Sequence, residues 1–125
     1  MEHTVTDLII RIKNAYMARI EMVDTPHSKF KESVLKRLKD LKYIKDFKKV
    51  GHKLAVELRY DELTPSITDV KIISTPGRRI YVSYKDLKPV LGGLGYSLIS
   101  TPKGILTNKE ARKEKTGGEL LFHIW

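Results

Sequence analysis

The sequence holds 125 residues, with 24 Lys and Arg against 15 Asp and Glu for a formal net charge of +9, and no cysteine. That length suits one domain or two small lobes, and an apolar fraction of 41% supplies a packed interior rather than a disordered chain. The charge points to a polyanionic partner, either nucleic acid or an anionic membrane. The lack of cysteine excludes disulfides, thiolate metal ligands and Cys nucleophiles. No apolar run reaches the ~20 residues a membrane-spanning helix needs. Met1-Glu2-His3-Thr4 has neither the basic nor the apolar region of a secretory signal, so a reducing, intracellular setting is expected.

Val5, Leu8, Ile9, Ile12 and Tyr16 recur at helical spacing and predict an amphipathic first helix. Thr4 or Thr6 is expected to cap it, with Asp7 in its first turn. A short strand is expected around Met22 to Thr25, and Pro26-His27-Ser28 leads into a second helix from Lys29 to Lys42. There Phe30, Val34, Leu35, Leu38 and Leu41 form the apolar stripe, and Lys29, Lys31, Lys36, Arg37 and Lys39 the solvated one. Tyr43 to Val50 reads as a strand, Gly51-His52 as a turn. Leu54, Val56, Leu58 and Tyr60 then alternate with polar residues at the period of a half-buried strand. Asp61 to Pro65 combines charge and a proline, which predicts a boundary between lobes at 1–64 and 65–125.

The second lobe reads as mostly strand. Val70 to Ile73 and Arg79 to Ser83 flank a turn at Pro76-Gly77, and a short helix is expected within Asp86 to Leu91. Ser97 to Ile99 is a strand entering a loop of Ser100, Thr101, Pro102, Lys103 and Gly104, where Gly104 would admit a close backbone. Thr107-Asn108-Lys109-Glu110 has the spacing of a capping box for a short basic helix. Gly117-Gly118 is expected to end that helix. A closing strand then puts Leu120, Phe122 and Ile124 on one face, and Glu119, Leu121 and His123 on the other. The fold class is therefore α+β: an α-β-α-β-β lobe, then a mostly β lobe with one short helix.

Motifs for chemistry are few. His3, His27, His52 and His123 never fall at metal-ligand spacings, so no metal site is expected. Ser100, His123 and Asp86 supply the residue types of a hydrolase triad without a nucleophile elbow around the serine. Gly92-Gly93-Leu94-Gly95 lacks dinucleotide-loop spacing, and carboxylates for two-metal chemistry are missing. Eleven Lys and Arg against four acids between Lys29 and Arg59 form either a solvated face or a phosphate-binding surface.

The order Ser-Thr-x-x-Gly (Ser100 to Gly104), Thr-x-x-Glu-Ala-Arg (Thr107 to Arg112) and Gly-Gly-Glu (Gly117 to Glu119), closing on Trp125, is much rarer than its parts. It resembles the C-terminal signature of ribosomal protein eight of the small subunit, in its bacterial or organellar form. Asp7 with Arg11-Ile12-Lys13-Asn14-Ala15, Pro26 to Lys31, Pro76-Gly77-Arg78-Arg79-Ile80-Tyr81 and Gly93-Leu94-Gly95 resemble further motifs of that family. Two positions depart from it: Pro102 stands where the family usually has Ser, and His3-Thr4 where it usually has Asp-Pro.

The resemblance implies a structural protein, not an enzyme, that needs no cofactor. Its implied partners are a bulged stem in the central domain of small-subunit ribosomal RNA, neighbouring small-subunit proteins and, in some bacteria, its own messenger RNA. It implies a cytoplasmic ribosome, or an organellar one. Carried over by matching position, the RNA contacts fall on Tyr81, Ser100, Thr101, Lys103, Gly104, Gly118 and Glu119, with Lys29 secondary. The rival readings are an RNA-processing enzyme and a DNA-binding module.

Overall fold

The computed structural model describes residues 3–62 and 64–125. Two compact units emerge, spanning residues 4–68 and 69–125, and the architecture is α+β.

In the first unit the apolar spacing produces α1 (His3–Met17), which buries Val5, Leu8, Ile9, Ile12, Ala15 and Tyr16. The helix is already under way at His3, so Thr4 and Thr6 lie inside it and Asp7 falls beyond its first turn. The expected caps are thus displaced, and the residue before His3 lies outside the described residues. Next come β1 (Met22–Pro26), α2 (Lys29–Asp40), β2 (Ile44–Val50) and β3 (Lys53–Leu58), with β3 central in an antiparallel sheet of order β1-β3-β2. Leu54, Val56 and Leu58 point inward, as their alternation predicts.

Ser28 starts α2 by accepting from the Lys31 amide at 3.1 Å. Val34, Leu35 and Leu38 form its buried stripe. Lys31 departs from the predicted solvated stripe: it is 3% exposed, and its ammonium donates to the Thr25 hydroxyl on β1 at 2.9 Å. Burial, aided by Arg11 and partly opposed by Asp7, holds its amine below the ordinary range. The Asp61–Pro65 segment is no open connection, because β4 (Tyr60–Asp61) and β5 (Thr64–Pro65) pair as a small ladder. Leu63, within the predicted boundary, lies outside the described residues.

The second unit is built around one strand. β6 (Val70–Ile72), β7 (Tyr81–Val82) and β8 (Tyr96–Thr101) all pair antiparallel with β10 (Gly118–Ile124), and β9 (Gly104–Thr107) pairs with β8. The predicted strand from Arg79 to Ser83 shortens to two residues. Single 3-10 turns at Tyr84–Asp86 and Leu91–Gly93 replace the short helix expected between Asp86 and Leu91.

The expected faces of β10 need correction. A bulge between Leu120 and Phe122 shifts the register, so that Leu120 faces Ile99 while Phe122 faces Leu98. Ile99 and Leu98 point to opposite faces of β8. Leu120 therefore packs with the cluster of Leu87, Ile99 and Ala111, and Phe122 and Ile124 are buried on the other face. Leu121 is the extra residue, and its carbonyl accepts from the amides of Ile73 and Ser74.

Candidate nucleic-acid interface

The predicted loop after Ile99 is a tight hairpin. Ser100 and Thr101 are strand residues, Pro102-Lys103 make the turn, and Gly104 opens β9 opposite Thr101. Thr101 holds this turn itself: its hydroxyl donates to the Gly104 carbonyl at 2.7 Å and accepts from the Lys103 amide at 3.1 Å. Gly104 has φ of +111°, a conformation that L side chains rarely adopt. A Cβ there would meet nothing within 4 Å, so the glycine serves the turn and no backbone of this unit crowds it.

After the hairpin, the predicted capping box forms in full. Thr107 accepts from the Glu110 amide at 3.2 Å, and Glu110 returns the bond to the Thr107 amide at 2.9 Å. This starts α3 (Asn108–Lys113). The left-handed position that ends α3 is taken by Lys115 at φ +53°, not by Gly117 or Gly118. Those glycines are needed for close packing instead. A Cβ on Gly117 would overlap the Val82 carbonyl, and one on Gly118 the Ser100 carbonyl.

With Gly118 pressed against β8, the registers align three candidate residues. Glu119 sits opposite Ser100 on β8 and opposite Tyr81 on β7. Opposed residues in antiparallel strands project to the same face. Tyr81, Glu119 and Ser100 thus form a row across the sheet, continued by Ile105 opposite Ser100. Tyr81 is 67% exposed, while Glu119 and Ser100 are half-buried. The Tyr81 hydroxyl, the Glu119 carboxylate and the Ser100 hydroxyl have no hydrogen-bond partner among the described residues. The row thus offers a ring face, an acceptor and a donor–acceptor at one end of the sheet, beside the Thr101–Gly104 turn. Lys103 stands on that turn, its ammonium 3.3 Å from the Glu114 carboxylate with both groups exposed, a contact that holds it only loosely.

Lys29 belongs to the other unit. It is exposed at the start of α2, and its ammonium has no partner among the described residues. Part of the basic stretch around it is neutralised locally, through Arg37–Asp40 at 3.0 Å, Lys39–Asp46 at 2.9 Å and Lys45–Glu57 at 3.3 Å.

The triad elements are not brought together. Ser100 and His123 lie on opposite faces, and the His123 Nδ1 instead meets the buried Ser97 hydroxyl at 2.7 Å. Burial, reinforced by Lys71, pushes the His123 imidazole below its ordinary value. Among the described residues no group of three or more His, Cys, Asp or Glu side chains could hold a metal ion, and no helix is long and apolar enough to cross a membrane.

A basic α+β protein with a polar row beside a glycine-led hairpin has the makings of an RNA-binding protein. Comparison with known proteins narrows the class. The family model described as Ribosomal protein S8 matches residues 3–125. Small ribosomal subunit protein uS8 of Dictyoglomus thermophilum is 46% identical, covering 97% of this chain and 95% of that protein. Its namesake from Opitutus terrae is 41% identical with full coverage of both, and that from Mycoplasmopsis synoviae 40% identical over 97% of this chain and 96% of the relative. The chain belongs to the ribosomal protein S8 family, a family of structural proteins of the small ribosomal subunit.

Proposed function

We propose that the protein binds a bulged stem in the central domain of small-subunit ribosomal RNA and thereby supports assembly of the subunit. The observation that carries this reading is the row of Tyr81, Glu119 and Ser100, whose polar groups have no partners among the described residues. A-form RNA hides its base edges in a deep, narrow groove, so proteins read bulges, 2′-hydroxyls and backbone shape. Tyr81 would stack an unpaired base. Ser100 would bond a 2′-hydroxyl or phosphate oxygen, and the Glu119 carboxylate would accept from an amino group or 2′-hydroxyl. Gly118 keeps β10 close enough to β8 for the row to exist. The Thr101 hydroxyl acts chiefly by shaping the turn that presents Lys103 and the open space above Gly104. Lys29 compensates phosphate charge without reading sequence.

In this reading the protein is not an enzyme and works within the ribosome of the cytoplasm or of an organelle, among other small-subunit proteins. A messenger RNA that folds into the same bulged stem would occupy the same surface, so the protein's own message, folded in that way, would act as a regulatory ligand. The test is binding to the bulged stem and to a bulge-deleted control, with circular dichroism to confirm folding. Ser100→Ala should weaken binding to the bulged stem roughly 10- to 150-fold, the worth of a hydrogen bond to a charged or buried partner. It should also reduce the preference over the control. Parent-like binding of both RNAs by this variant would refute the assignment, and equal competition by duplex DNA would favour a DNA-binding module.

A further inference from the structure

The helices α1, α2 and α3 all end on the same turn. In each, one amide bonds back to a helical carbonyl five residues earlier: Ile20 to Ala15 at 2.9 Å, Tyr43 to Leu38 at 2.9 Å and Thr116 to Ala111 at 3.0 Å. The amide just before it bonds three residues back: Arg19 to Tyr16 at 3.2 Å, Lys42 to Lys39 at 3.0 Å and Lys115 to Arg112 at 3.2 Å. This pair of bonds places one residue in the left-handed region, where glycine is the usual occupant because a Cβ is unfavourable there. Here the three places are held by Arg19 at φ +58°, Lys42 at +66° and Lys115 at +53°. Each is a cation at a position glycine would fill with less strain.

The negative end of a helix attracts cations, and this accounts for Arg19, because α1 has no basic residue in its last turn. It does not account for Lys115. The last turn of α3 already carries Arg112 and Lys113, and a helix of six residues presents only a short dipole. No ion pair holds the lysine either: Lys115 is exposed, and its ammonium has no partner among the described residues. The carboxylates of α3 and its cap are engaged elsewhere, Glu114 with Lys103 at 3.3 Å and Glu110 in the capping box.

The contact between Lys103 and Glu114 sets the end of α3 beside the tip of the hairpin. Three residues beyond Lys115, Gly118 packs on Ser100, and the row begins at Glu119. Three residues span at most about 11 Å, which keeps Lys115 at the edge of the row. The row of Tyr81, Glu119 and Ser100 holds no cation, its one charged group would repel a phosphate, and Lys103 shares its charge with Glu114. We propose that Lys115 is a further RNA-contacting residue, whose ammonium meets a backbone phosphate of the nucleic acid lying on that row. The inference rests on the RNA reading above. The strained backbone at position 115 is then kept for what the side chain does in binding.

The test measures affinity for the bulged stem and its bulge-deleted control across a range of salt, with thermal unfolding of every variant. Glycine and asparagine both suit a left-handed position, so Lys115→Gly and Lys115→Asn should melt at or above the parent's temperature. Both should weaken binding roughly five- to eightfold at about 0.1 M salt and converge on the parent near about 1 M, the effect of one neutralised phosphate. The two stems should lose alike, in contrast to Ser100→Ala. Lys115→Arg should bind as the parent does. Lys42→Gly removes the same charge from the same turn in the other unit, and should weaken binding less than Lys115→Gly. Parent-like binding by both Lys115→Gly and Lys115→Asn, lowered melting of both, or an equal loss in Lys42→Gly would each overturn this inference and leave the RNA reading standing. A parent that binds neither stem would refute both.

Discussion

Residues 4–68 hold 14 Lys and Arg against 9 Asp and Glu, and residues 69–125 hold 10 against 5, so each stretch carries +5, and Glu2, outside both, brings the chain to +9. They differ in how polar groups are arranged. In the first unit several cations are paired to nearby carboxylates, and Lys31 is buried for structural reasons. In the second, three neutral or acidic residues from three strands are aligned, with no hydrogen-bond partner for their polar groups among the described residues. Charge supplies attraction that depends on salt and not on sequence, whereas positioned groups supply shape discrimination. Equal charge therefore does not mean an equal share in recognition.

The largest expected effect is on the frame that holds the row. Phe122 is 1% exposed, and Phe122→Ala should cost about 3–5 kcal/mol of stability, measured by urea unfolding. RNA binding should fall with it; a variant that unfolds like the parent would mean the sheet does not depend on this side. Thr101→Ala comes next. It removes both side-chain bonds that close the hairpin and should cost about 1 kcal/mol. Ser100→Ala should leave stability near the parent's, so the two adjacent hydroxyls should separate cleanly between folding and binding.

Lys29→Ala tests the other unit. The slope of log affinity against log salt should become shallower by roughly 0.7 to 0.9, with bulged and perfect stems weakened alike. Lys31→Met, two residues away, should leave that slope unchanged because its ammonium is buried against Thr25. If both lysines alter the slope equally, the contrast between buried and exposed cations fails.

The smallest effect concerns pH. The folded-state pKa of His123 is depressed from its ordinary 6.5 by burial and by Lys71. The unfolded chain therefore takes up a proton before the folded one does as pH falls. Stability from this group is fully present above about 6.5 and declines as pH drops from there towards the lower folded value. His123→Gln should flatten thermal stability across that interval, and an unchanged profile would place the pH response elsewhere.

Much of this architecture is legible from local pattern. The α1 stripe, the alternation of β3 and the capping box of Thr107 and Glu110 depend on residues within a few positions, and all appear as expected. The parts that escape are non-local. Lys31 reads as solvated because its partner, Thr25, lies on another element. Leu120 changes face because of a bulge that only strand pairing reveals. Gly117 and Gly118 look like a helix stop, yet their role is set by Val82 and Ser100 on strands distant in the chain. The candidate residues were nameable through family resemblance. Their alignment was not, because Tyr81, Ser100 and Glu119 meet only through two separate ladders.

The central position of β10 also imposes an order in time. β6, β7 and β8 all precede it in the chain and all pair with it, so the sheet lacks its middle until Ile124 has been synthesised. Domains fold as units during synthesis, N-terminal first. A nascent chain would thus have a finished, positively charged first unit, while the row proposed above to discriminate among RNAs did not yet exist. On that proposal selectivity arrives late in the making of this protein, and interrupted chains would be sticky without being specific.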